Sequence, residues 1–184
     1  MTYDDWLKTV PPEITDDALW QMTVYRQALF LGELAWADVC KLAAQRKMWE
    51  VSEQLYRAVG SISANIAEGY SRAFSKDQAR FYEYALGSAR ESRDWYYKAR
   101  HLLGNEVALH RMRLIVQITR QLLKLVPQYR GRRIAEESAT YTTHPLDQLL
   151  NHVPMPDNMM DTNMILDTKY AIRNTKYTTQ NKEL

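Results

Sequence analysis

The sequence predicts an all-α protein, folded as an antiparallel up-down-up-down four-helix bundle. Three observations predict it. Apolar residues recur at spacings of three, four and seven through four long stretches, the period of helices with one buried side. Strand signals are essentially absent. The breaks between stretches are short, so successive helices must run back along one another.

Charge divides the chain further. Residues 1–20 carry one Lys against five acids, residues 21–130 carry 17 Lys and Arg against 10 acids, and residues 131–184 carry 6 against 7. The central part is therefore basic, at +7, and the ends are acidic or balanced. Residues 1–15 read as an acidic N-terminal extension, 16–131 as the bundle and 132–184 as a C-terminal tail. Hydrophobic residues make up 46% of the chain, enough to bury a core. No stretch approaches the length of apolar sequence that a membrane span needs. Met1–Pro12 lacks the apolar centre of a secretory signal. The expectation is a cytoplasmic protein with no membrane partner.

The first helix opens at Asp16 or Asp17, either of which can cap it, and runs to about Arg46. Trp20, Val24, Ala28, Leu31, Ala35 and Leu42 form its buried stripe. The second runs from about Met48 to Ser71 and buries Leu55, Val59, Ile62 and Ile66. No Pro or Gly separates these two, so one continuous helix is the alternative. In the third, Ser75 followed by Gln78 fits a capping box, and Gly104 suits the stop after Leu103. Asn105 caps the fourth helix, which reaches about Val126, where Pro127 should end or kink it. Its apolar side holds Val107, Ile115, Ile118, Leu122, Leu125 and Val126. Glu106, His110, Arg113, Gln117, Arg120 and Lys124 share the opposite side, which reads as solvated.

Beyond it, Pro145, Pro154 and Pro156 punctuate a segment rich in Asn and Thr with no sustained period. An extended or disordered tail is the expectation, with short helices near 146–153 or 159–172 as the alternative. Its apolar residues, Met155, Met159, Met160, Met164, Ile165 and Leu166, could dock on a neighbour.

Ser61–Gly69 reads S-I-S-A-N-I-A-E-G, a mixture of small, polar and β-branched residues within a helix. Small residues permit close backbone approach, here of Gly60, Ala64 and Ala67 to Ala85, Ser88 and Ser92. Ser61, Asn65, Glu68 and Arg72 fall at steps of four, three and four, so they share one side. They read as a polar seam fixing register or oligomeric state, with Glu68 paired to an Arg of the third helix or of the next subunit. A ligand site is the alternative.

Candidate chemistry is sparse. Cys40 is alone, so no disulfide or thiolate cluster can form, and a buried inert thiol is expected. The four histidines are dispersed and form no Glu-x-x-His pair; Glu106 and His110 read as a surface pair. No metal and no cofactor are expected. There is no glycine-flanked Ser motif and no phosphate-cradling loop, so no catalytic residue is assigned and no enzyme is expected. The basic residues remain. From Tyr70 to Arg133 there are 14 Lys and Arg against 5 acids. Arg113, Arg120 and Lys124 form one stripe of the fourth helix, leading into Arg130, Arg132 and Arg133. Lys76 and Arg90 add to it from the third, diluted by Glu83 and Asp94. Such a surface suits phosphate contacts. Among the aromatics, Trp95 reads as facing the core with Phe81 and Ser92, Tyr96 as a packing boundary and Tyr97 as accessible. Trp20, Trp36 and Trp49 read as core or interface.

Ser61–Gly69 continues into Tyr70, Ser71 and Arg72, and R-F-Y-E-Y-A-L-G-S-A-R-E-S follows at Arg80–Ser92. With V-Y-R-Q-A at Val24–Ala28, these resemble the 23S rRNA intervening-sequence proteins, some of which are encoded by insertions within bacterial 23S rRNA genes. The resemblance covers about residues 18–130. It implies a left-handed four-helix bundle that assembles into a ring, with a homopentamer expected; five copies of the +7 body would carry about +35. A more distant similarity, to the basic pentameric accessory proteins of diversity-generating retroelements, implies nucleic acid and a reverse transcriptase as partners. The chain departs from the family in carrying Met48–Trp49 where relatives often have Phe-Pro, and in its tail after Arg133. The expected function is a non-enzymatic homo-oligomer that binds RNA or other nucleic acid. A protein-interaction scaffold is the alternative.

Overall fold

The computed structural model describes residues 1–130 and 144–156. Every regular element among the described residues is helical. Two short N-terminal helices, α1 (Tyr3–Leu7) and α2 (Pro12–Thr15), precede four long ones: α3 (Thr23–Ala43), α4 (Trp49–Tyr70), α5 (Ser75–Leu103) and α6 (Asn105–Arg130). A short α7 (Leu146–Asn151) closes the order. The four long helices pack in sequence order, and α3 also meets α6 and α5. Leu31, Leu34 and Leu42 of α3 share one core with Leu55, Val59, Ile62 and Ile66 of α4. Tyr82, Ala85, Ala89 and Tyr96 of α5 and Ile115, Ile118 and Leu122 of α6 complete it. None of the described helices is long and apolar enough to cross a membrane.

Local chemistry accounts for the boundaries, and several differ from the sequence reading. Asp17 does act as a cap, accepting from the Leu19 amide at 2.8 Å, but the element it caps is a 3₁₀ turn at Ala18–Gln21. Helix α3 starts only after Met22, whose backbone is extended. A second 3₁₀ turn at Arg46–Met48 separates α3 from α4, so the two are not continuous. The Ser75–Gln78 capping box does not form: Phe74 is the N-cap residue and makes no side-chain cap bond. Gln78 instead reaches back six residues, donating to the Arg72 carbonyl at 2.8 Å. Gly104 has φ +91°, a conformation that L side chains rarely adopt, and α6 begins directly after it. Pro127 neither ends α6 nor falls beyond it; the helix continues to Arg130. The last turn is held from outside, by Tyr129 edge-on to Tyr82 (ring centroids 5.4 Å apart) and by an ion pair between Arg130 and Glu83.

The small residues meet the expectation only in part: Ala85 and Ser92 are fully buried and Ala67 is half-buried against the core. Gly60 and Ala64 are exposed, and no side chain or neighbouring backbone lies close to Gly60. The tight approach is at Gly69, where an added Cβ would meet the Tyr82 ring at 2.8 Å and the Phe81 Cβ at 3.1 Å. Gly69→Val should therefore overpack the α4–α5 contact and cost about 1–3 kcal/mol. A urea midpoint within experimental error of the parent would refute this.

The helical register of the aromatics is also shifted. Tyr96 is the fully buried ring. Trp95 is half-buried, with the Lys98 ammonium 4.1 Å from its ring centroid, and Tyr97 is exposed beneath the Arg100 guanidinium. At the N-terminus, Tyr3 and Trp6 pack against Phe30 with ring centroids 5.1 and 5.3 Å away. The acidic extension is thus tied to the core by its aromatics. Residues 144–156 are seated as well: α7 packs on α1 and α6, with Leu149 and Pro156 buried. The helical alternative holds for Leu146–Asn151, while the candidate helix at 159–172 lies outside the described residues.

Candidate nucleic-acid interface and the polar centre beneath it

The basic stripe of α6 exists as a surface. Arg113 and Lys124 are exposed, and Arg120 is half-buried on the same face. Among the described residues, no carboxylate pairs with any of the three. Arg130 differs, because its charge is met by Glu83 of α5. Lys76 is exposed in the first turn of α5 beside Asp77, and Arg90 is half-buried further along that helix. Arg132 and Arg133 lie outside the described residues.

The polar set of α4 does not form a seam with another helix of the same chain. Asn65 donates to the Ser61 carbonyl one turn back, at 2.7 Å. Glu68 pairs with Arg72 one turn on, rather than with an Arg of α5. Arg72 in turn sits over the Phe81 ring, 4.7 Å from its centroid. Ser61 and Asn65 are half-buried, Glu68 and Arg72 exposed. The set closes on itself along its own helix because steps of three and four bring these side chains within reach of each other first.

The buried polar centre lies elsewhere. Asp38 of α3 and Arg111 of α6 form an ion pair with both side chains fully buried. Arg111 donates from Nε to one carboxylate oxygen at 2.8 Å and from Nη2 to the other at 3.2 Å. The Tyr96 hydroxyl of α5 donates to the same carboxylate at 2.9 Å. Three of the four long helices therefore meet at one carboxylate. Burial pushes the Asp38 carboxyl above the ordinary aspartate value, while Arg111 and Tyr96 pull it back. Burial, reinforced by Asp38, drives the Tyr96 phenol well above its usual range, so it remains a donor.

His110 extends this network, a correction to its reading as a surface residue. It is buried, its Nε2 lies 2.7 Å from the Leu149 carbonyl, and its Nδ1 lies 2.8 Å from Arg111 Nη1. Both neighbours have fixed roles: a carbonyl only accepts and a guanidinium only donates. The imidazole is therefore neutral, with its proton on Nε2. Burial and the adjacent Arg111 charge lower its pKa to about 4.

Residues 144–156 lie across this face of α6 and are held in part by their backbone. Gln117 donates to the His144 carbonyl at 3.2 Å, His110 to Leu149 and Arg111 to Pro154 at 3.0 Å. The face read as solvated is thus partly covered. A polar helix side can be buried when each of its donors finds an acceptor. Between α6 and the covering segment is an open cavity of about 210 Å³, lined by Glu106, His110, Arg113, His144, Gln148 and His152 among others. No group of His, Cys, Asp and Glu among the described residues could hold a metal ion.

One further concavity, about 330 Å³, opens between α3 and α4. Trp36, Trp49 and Tyr56 line it together with the half-buried Cys40, and the Trp36 and Tyr56 rings lie 5.7 Å apart. All three aromatic residues are exposed.

The central network went unassigned in the sequence, although one signal for it was present. Asp38 falls in phase with Leu31, Leu34, Ala35 and Leu42, and Arg111 with Leu114, Ile115 and Ile118. An acid and a base, each in register with a buried stripe on a different helix, are candidates for one another. Comparisons with curated proteins and with solved structures give no match. The family described as 23S rRNA-intervening sequence protein matches residues 21–124, a span that runs from the last 3₁₀ residue before α3 into the final third of α6. The match covers more than half of the 184 residues, and the chain belongs to the 23S rRNA-intervening sequence protein family.

Proposed function

We propose that the four long helices form an up-down-up-down bundle that self-associates, as a ring of about five copies, and binds RNA or other nucleic acid without catalysis. The observation that carries this reading is the stripe of Arg113, Arg120 and Lys124, aligned on one face of α6 with no carboxylate partner among the described residues. Cations in a row release condensed counterions when they meet phosphates, and assembly multiplies the effect. The family name, which refers to a ribosomal RNA gene, supports nucleic acid as the partner.

Binding of structured RNA should therefore weaken steeply with salt. Replacing Arg113, Arg120 and Lys124 by Glu should abolish it at low ionic strength while leaving helical circular dichroism intact. Binding that ignores salt, or survives the triple replacement, removes the reading.

The aromatic cleft between α3 and α4 favours a second reading, a scaffold subunit docking a protein such as a reverse transcriptase. Exposed clustered aromatics are typical anchors of protein interfaces. Trp36→Ala with Tyr56→Ala would then lose the protein partner and leave RNA affinity unchanged.

A further inference from the structure

We propose that residues 144–156 are a detachable latch over the N-terminal half of α6, whose release adds His110 and Gln117 to the phosphate-binding stripe. The ligand in this inference rests on the nucleic-acid reading above; the latch itself rests on geometry.

The latch is held by main-chain acceptors as well as by its apolar side chains. Three of its carbonyls, at His144, Leu149 and Pro154, are taken by three α6 side chains. Leu149 is the latch's buried leucine, and Leu150 and Val153 pack against the edge of the main core. The buried members of that core all lie in residues 3–126, so release would leave the packing among α3 to α6 in place. The segment also lies outside residues 21–124, so the matched part of the chain supplies the groove and not its cover.

Its chemistry is that of a substitute for an anion. Residues 144–156 contain no Lys or Arg and one acid, Asp147. Two of these carbonyls, at Leu149 and His144, lie on His110 and Gln117, which share the helix face of Arg113, Arg120 and Lys124. Arg111 keeps its hold on Asp38 through Nε and Nη2 whether or not the latch is present. When the latch lifts, the His110 Nε2–H and the Gln117 amide lose their acceptors, while Arg111 stays turned inward on Asp38. Donors stripped of acceptors in a sheltered site are costly, and a phosphate oxygen can replace each carbonyl. The stripe would then run from His110 to Lys124, about 21 Å along the helix. Glu106, close to His152 at 3.9 Å, is the acid at the edge of the groove, and Arg113 lies on its cationic side.

Two forms of the full-length chain provide the test. Leu149→Ser should speed hydrogen exchange at the Leu149 and His152 amides, which bond to the Pro145 and Gln148 carbonyls, and tighten binding of structured RNA at least fivefold. In the unaltered chain, saturating RNA should speed exchange at the same two amides, because two occupants of one surface weaken each other reciprocally. The latch is overturned if Leu149→Ser frees these amides without tightening RNA. It is equally overturned if RNA leaves their exchange unchanged or slows it, a result that decides the matter even should the substitution unfold α3–α6. RNA binding equally to both forms removes the latch alone; RNA binding to neither removes the nucleic-acid reading with it.

Discussion

Replacing Asp38 by Ala is expected to destabilise the protein by about 3–5 kcal/mol, the usual cost of leaving one member of a buried ion pair without its partner. Arg111 is fully buried and cannot shed its proton, so its charge would stay inside with the His110 nitrogen, the Pro154 carbonyl and the Met155 sulfur as acceptors in place of a carboxylate. The Tyr96 hydroxyl would lose its acceptor at the same time. Against a total stability on the order of 5–15 kcal/mol, this is a large fraction. Replacing both charges together, Asp38→Leu with Arg111→Met, should cost much less than the sum of the single changes, because no orphaned charge remains. Urea unfolding of the parent, both single variants and the double variant gives the coupling directly. A loss below about 1 kcal/mol for Asp38→Ala would mean that the pair does not organise the interior.

Acid is expected to destabilise the protein through His110, over a defined window. The unfolded imidazole takes a proton near pH 6.5, the folded one only at about 4. Above pH 6.5 both states are neutral and this residue makes no difference. As pH falls towards 4 the unfolded chain binds the extra proton, and stability drops by on the order of 3 kcal/mol. Asp38 acts in the opposite sense at pH above its ordinary value of 3.8, since its carboxyl is raised and the folded chain gains that proton first. The two effects separate in His110→Gln, whose amide can donate to Leu149 and accept from Arg111 but cannot titrate. Stability of this variant should lack the fall between pH 6.5 and 4 that the parent shows. Parallel curves for the two proteins would show that His110 is not held neutral.

How much was legible in the sequence depends on what kind of contact decided each feature. The long helices were legible because their buried stripes repeat within one stretch of chain. The outward position of Arg113 and Lys124 followed from the same count. Helix starts were less legible: Asp17 and Ser75 have suitable side chains, but the backbone chose a 3₁₀ turn at one and Phe74 at the other. Glu68 shows the reverse problem, since a partner sought on another helix was available one turn away. His110 was misplaced because a position opposite the apolar stripe predicts water only if nothing else covers it. What covers it is a segment 39 residues further on, with no period of its own to announce its docking. Asp38 and Arg111, 73 residues apart, were read as two charges rather than one pair.

That separation along the chain also sets an order of events during synthesis. His110 and Arg111 leave the ribosome before the carbonyls that will occupy them, 39 and 43 residues downstream. At typical elongation rates the interval is roughly 2 to 8 seconds, far longer than helices need to form and collapse. For that time the nascent chain holds both side chains without the carbonyls that they meet in the folded protein.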